Sequence, residues 1–123
     1  MGGDADGYLR GCHANIKGAV MGGLLPGGEN VQSKDELTKL LKEDIPKYMD
    51  IRKFEPLDWA AEGDNVYFVV NWEFLWKPTN KLVKTQGKVH KVVRDNLICE
   101  KYHMVNAPLI MHNMYGNQHP QAI

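Results

Sequence analysis

The stretch Val66-Tyr67-Phe68-Val69-Val70-Asn71-Trp72-Glu73-Phe74-Leu75-Trp76 leaves the chain few folds to choose from. Side chains alternate across a strand, so the even-numbered residues fall on one face and the odd-numbered ones on the other. The even set, Val66, Phe68, Val70, Trp72, Phe74 and Trp76, is apolar throughout and rich in aromatic rings. The odd set mixes Tyr67, Asn71 and Glu73 with Val69 and Leu75. The pattern predicts one long strand with a broad apolar face, which needs a second layer over it.

The flanks read the same way. Glu62-Gly63-Asp64-Asn65 is a turn cluster before the strand, and Lys77-Pro78-Thr79-Asn80 is a hairpin loop after it. Phe54, Leu57, Trp59 and Ala61 predict an irregular strand bent near Pro56. Leu82 to Val93 and Leu97 to Val105 predict the last two strands. The helices come earlier. Ser33-Lys34-Asp35-Glu36 fits a capping box, and Leu37, Leu40, Leu41 and Ile45 follow on one helical face. Pro46 predicts a kink or stop there. Asp4 to Cys12 reads as a short helix with Tyr8, Leu9 and Cys12 inward, and His13 to Met21 as a short strand. The sum is an α+β domain: a strongly curved antiparallel sheet, a cone or half-barrel, packed against helices.

At 123 residues the chain suits one domain, 1–123. Nine of its twelve glycines fall in the first 28 residues, which predicts short pieces joined by turns and a mobile loop at 21–30. The polar segment 112–123 is expected to be loosely held. Formal net charge is zero, which argues against a nucleic-acid or membrane-surface partner. Cys12 and Cys99 stand far apart without a CxxC, and the N-terminus lacks an apolar signal segment. A cytoplasmic setting with reduced thiols is expected.

His90 and His103 sit on the last two strands. If Asp95-Asn96 is a two-residue turn, Arg94 pairs with Leu97 and Lys91 with Glu100. His90 and His103 then share a face as diagonal neighbours, beside Lys84, Gln86, Lys88 and Lys101. Val89, Val93, Ile98, Tyr102 and Met104 take the other face. A register shifted by one residue separates the histidines. A row of lysine, glutamine and histidine usually faces water; the alternative makes it a pocket wall.

Three stretches carry a family resemblance: GDADGYLRGCHANIKGAV, VQSKDELTKLL, and GDNVYFVVNWEF followed by TQGKVHKVVRDNLICEKYHMV. Together they resemble the nuclear-transport-factor-2-like superfamily, in its SnoaL-like and ketosteroid-isomerase-like branch, over most of residues 3–105. Two departures matter. The family opens with a long helix before the Gly-Asp, whereas this sequence starts almost at Gly3-Asp4, so a first helix and any catalytic residue on it are expected to be lacking. The isomerases' first-strand aspartate has no counterpart in Asn15-Ile16-Lys17-Gly18. The resemblance places His90 near the isomerases' second oxyanion donor, and so on the cavity wall.

The resemblance implies a small-molecule isomerase, cyclase, dehydratase or hydrolase working by general acid–base catalysis. His90 and His103 are the candidate catalytic residues, since imidazole titrates near neutrality. Trp72, Trp76, Gln86, Lys88, Lys101 and Tyr102 are the candidate ligand-binding residues for a small apolar organic molecule. No cofactor is expected. No metal is expected either: a site needs a third ligand, and in this register Glu100 faces away while Cys99 shares the face only opposite Val92. The other classes in play are a ligand-binding protein without catalysis and a dimerisation or assembly domain, with a homodimer expected.

Overall fold

The computed structural model describes residues 5–21, 28, 30–105 and 109–110. Its order is α1 (Ala5–Arg10), β1 (Cys12–Val20), α2 (Lys34–Lys39), a π turn (Leu40–Asp44), α3 (Ile45–Tyr48), then β2 (Met49–Glu62), β3 (Asn65–Trp76), β4 (Lys81–Arg94) and β5 (Leu97–Met104). The sheet order is β1-β5-β4-β3-β2. From β2 to β5 it is an antiparallel meander, as expected. β1 adds itself parallel to β5, so the sheet is mixed rather than wholly antiparallel. The loop expected at 21–30 falls largely, and the tail at 112–123 wholly, outside the described residues.

The aromatic strand packs as its alternation predicts. Phe68, Val70, Trp72, Phe74 and Trp76 are buried on one face, joined by Val83 and Val89 of β4 and by Ile16 and Val20 of β1. Leu9 of α1, Leu37 of α2, Leu40 of the π turn and Ile45 of α3 close over them. Each such side chain contributes about 1.5–3 kcal/mol on burial. Among the described residues no helix is long and apolar enough to cross a membrane.

Ser33 caps α2 by accepting from the Glu36 backbone N–H at 3.2 Å. The reciprocal half of the box is displaced by one residue: the Glu36 carboxylate accepts from the Gln32 N–H, not from that of Ser33. Pro46 neither stops nor breaks the helix. The turn ahead of it widens to π spacing, with the Ile45 N–H donating to the Leu40 carbonyl, and the helical path continues to Tyr48. A wider turn accommodates a residue that lacks an N–H.

β2 bends through two register shifts, Ile51/Lys53 and Leu57/Ala60, with Asp58 at φ 54° in the second. Such bulges sharpen local twist and curve the sheet. β1 is held on both sides at Gly18. Its N–H donates to the Val31 carbonyl at 2.9 Å, and its Cα faces Lys101 of β5. A Cβ built there would lie 1.8 Å from the Lys101 carbonyl oxygen, and Gly18 has φ 152°. Replacing Gly18 by alanine is therefore expected to lower stability by at least about 2 kcal/mol, at the upper end of overpacking effects. Urea unfolding of G18A checks this; a loss under about 0.5 kcal/mol would mean that β1 does not press on β5 as described.

Candidate functional site

The last hairpin decides which side chains meet the core. Arg94 pairs with Leu97 and Val93 with Ile98, as a two-residue Asp95-Asn96 turn requires, and both turn residues have positive φ. The register then slips: Val92 pairs with Glu100, leaving Cys99 as an extra residue in β5. Beyond it, Lys91 faces Lys101, His90 faces Tyr102 and Val89 faces His103. His90 and His103 therefore lie on opposite faces, and the shared-face expectation is corrected. The expected Lys91–Glu100 pairing fails for the same reason. The turn was read correctly, and one bulge beyond it inverted β5.

His103 goes inward. It is buried at 3% exposure, with Trp72 at a ring-centroid distance of 5.3 Å and Phe54 edge-on at 6.0 Å. Gly87 of β4 leaves the room: a Cβ there would come within 2.7 Å of His103 Nε2. Burial, aided by the Lys101 charge, pushes the imidazole pKa down to about 3, so the ring is neutral at ordinary pH. Its Nε2 has no hydrogen-bond partner among the described residues, and neither do two other buried atoms, Trp72 Nε1 and Tyr8 Oη.

Lys101, two residues before His103, shares its face. Its ammonium lies 4.4 Å from the centre of the Tyr8 ring, and that of Lys91 lies 5.2 Å from the same centre. Burial first, then the Lys91 charge, lowers the Lys101 pKa to about 8; burial also lowers that of Lys91. Cys12 lies in the same field, with its thiol donating to the Tyr8 carbonyl at 3.5 Å and its pKa raised by burial. Burial holds the Tyr8 phenol well above its usual range.

His90 lies on the outer face. It stacks on Tyr67 at 4.5 Å and on Tyr102 at 5.7 Å, and its Nε2–H donates to Asn65 Oδ1 at 2.8 Å. Tyr102 donates to Glu100 Oε1 at 2.6 Å, which raises the phenol's pKa. Gln86 donates to Asn71 Oδ1 and is exposed, as is Lys88. Gln86 lines one open depression of about 430 Å³ with Lys53, Glu73 and Lys84. Lys88 and His90 line another of about 230 Å³ with Asp58, Tyr67 and Met104. Of the residues named from sequence, the fold thus gathers Trp72, Trp76, Lys101 and His103 on the core face and leaves His90, Gln86, Lys88 and Tyr102 outside.

Sequence reasoning put Tyr8 inward but missed its place beside Lys101, and it missed Lys91 and Gly87 as members of this inner group. Two signals were present. Lys91 alternates in step with Val89 and Val93, and a glycine inside a strand marks a close approach. Among the described residues no group of three or more histidine, cysteine or acidic side chains is placed to hold a metal.

The buried imidazole gives a pH signature. Unfolded, it takes a proton near 6.5; folded, only near 3. Between these values the unfolded chain binds more protons, so stability falls as pH drops below about 6.5, by up to about 1.4 kcal/mol per pH unit. The His103 ring resonances are expected to keep neutral-form shifts from about pH 8 down to about pH 5, and H103F is expected to flatten this part of the stability–pH curve. An ordinary titration near 6.5 would place the ring in solvent and contradict the packing described.

Neither any protein-family model nor any curated protein sequence matches the chain. Solved structures do. A nuclear-transport-factor-2-like protein from Burkholderia xenovorans LB400 superposes with a TM-score of 0.76 at 20% identity, over 91% of this chain and 84% of that one. A candidate SnoaL-like polyketide cyclase from Mesorhizobium loti gives a TM-score of 0.70 at 15% identity, over 84% and 86%. TerC, co-crystallised with polyporic acid, gives 0.74 at 15% identity, over 89% and 84%. The chain has the nuclear-transport-factor-2-like fold, which it shares with these structures.

Proposed function

We propose that the chain binds a small, flat organic molecule against the core face of its sheet and acts on it by acid–base chemistry without a cofactor. The reaction class is that of the SnoaL-like proteins: isomerisation, cyclisation, dehydration or hydrolysis. One observation carries the reading. Three buried polar atoms, Tyr8 Oη, Trp72 Nε1 and His103 Nε2, have no partner among the described residues. Each such group costs about 1–3 kcal/mol when left unmade, which favours a ligand that satisfies them.

The roles follow from the protonation states. His103 is neutral and weakly basic, so it suits hydrogen bonding to a carbonyl or enol oxygen better than proton abstraction. Lys101, titrating at about 8, is the group on this face able to exchange a proton near neutrality. Trp72 and Phe54 offer aromatic surface beside His103. The fold neighbour crystallised with polyporic acid, a flat hydroxyquinone, supports a ligand of that shape.

Polyporic acid and simpler hydroxyquinones are the first probes. Saturable quenching of tryptophan fluorescence is expected, with affinity reduced at least about ten-fold, or 1.4 kcal/mol, in H103F. No saturable quenching by any of them, or equal affinity in H103F, would overturn the reading.

A second reading, self-association through the outer face, is favoured by its exposed apolar side chains. Tyr67 is 43% exposed, Leu82 47% and Met104 54%. A homodimer through this face is expected to dissociate at least about ten-fold more readily in M104K, as a buried lysine would be costly. Sedimentation equilibrium checks this, and a monomer at all concentrations removes it.

A further inference from the structure

Lys91 and Lys101 are direct partners in the β4–β5 ladder, and their ammonium groups lie over the same Tyr8 ring. Like charges set opposite each other on one face are destabilising. No carboxylate among the described residues pairs with either one; the ion pairs present involve other lysines and arginines. Facing Lys101 are Tyr8 from α1, Cys12 from β1, Lys91 from β4 and, on its own strand, neutral His103. Lys34 of α2 adds a further positive charge near Cys12. Burial keeps the Cys12 thiol and the Tyr8 phenol protonated, so neither supplies a counter-charge. The cation–π contact is a weak substitute for an anion.

Such a position favours the free amine over the ammonium, and a free amine beside a second cation is the arrangement that activates lysine as a nucleophile. We propose that Lys101 is an imine-forming amine, set opposite Lys91 on the core face, that condenses with the carbonyl carbon of a small aldehyde or ketone. The inference rests on the core-face ligand reading and names its substrate class. The Lys101 Nζ lone pair forms a bond to the carbonyl carbon. The C=O π electrons pass to oxygen, which takes a proton from the Lys91 ammonium. The nitrogen then gives up its two protons, one to the departing hydroxyl, which leaves as water, and one back to the Lys91 amine, and the C=N bond remains. One carbonyl compound and one amine give one imine and one water, with no oxidation or reduction.

The lowered pKa supports the geometry. At pH 7.5 roughly a quarter of an amine titrating at about 8 is free, against roughly one in a thousand for a lysine at the ordinary 10.5. Pentane-2,4-dione is the probe, because its imine rearranges to a stable enaminone that needs no reductant. The expected result is one adduct per chain, a diketone less one water, mapped by peptide mass spectrometry to Lys101. It should form at least ten-fold faster there than at any exposed lysine, with a rate midpoint near pH 8. K101R should lose this adduct. K91M, which removes the neighbouring cation, should slow it several-fold at pH 7.5 by returning Lys101 toward its ordinary protonation.

Adducts spread evenly over exposed lysines, with Lys101 not preferred in the wild-type protein, would overturn the proposal without any variant having to fold. Hydroxyquinone binding measured on the same sample separates the two ideas: binding retained with no Lys101 adduct removes the imine and leaves the ligand site standing.

Discussion

One residue of excess in β5 governs the interior. Cys99 has no partner in the β4 ladder, and the parallel register with β1 is irregular at the same level. Without that bulge, alternation from Ile98 would carry Glu100, Tyr102 and Met104 inward. With it, Lys101 and His103 turn in and Glu100, Tyr102 and Met104 turn out. Because strand side chains have a period of two, one inserted residue exchanges the faces of everything that follows. Lys101 and His103 owe their place on the core face to that single slip.

Much of the frame was legible in the sequence because it rests on local rules. The even set of β3 is buried from Phe68 to Trp76, the Ser33 cap forms, and the Asp95-Asn96 turn has the length that its residues suggest. The parallel docking of β1 on β5 was not legible, since it joins segments about eighty residues apart and depends on Gly18 meeting the Lys101 backbone. The bulge was hidden for a different reason. Cys99 carries no turn chemistry, and the Lys91–Glu100 charge pair made the unbulged register look favourable. Two lysines face each other instead, and tertiary packing overrides a pair worth about 0.2–1 kcal/mol.

The candidate site was half legible for the same reason. Trp72 and Trp76 followed from alternation, but His103 and Lys101 reach the core only through the bulge. Gly87 is the complementary piece. A strand glycine ordinarily weakens a sheet, and here its missing Cβ is the space that the imidazole fills. The extra residue on β5 and the absent side chain on β4 act together, since turning His103 inward without Gly87 would drive its Nε2 into a side chain.

The interior so formed combines two costs that a purely structural core avoids. Among the described residues three polar atoms lie buried without partners, and two lysines are paired across β4 and β5 with no carboxylate bonded to either. A core built only for stability would set apolar side chains at these positions, as it does at Val70, Phe74 and Val83 of the same sheet. The lysine pair lies against the Tyr8 ring of α1, and the His103 imidazole packs on Trp72 of β3. Tyr8 links the lysine pair to the helix layer, its ring under both ammonium groups and its hydroxyl without a partner among the described residues. A carbonyl compound entering there would meet an amine, a second cation and neutral hydrogen-bonding groups together, which is what an interior with unmet polar demand is suited to hold.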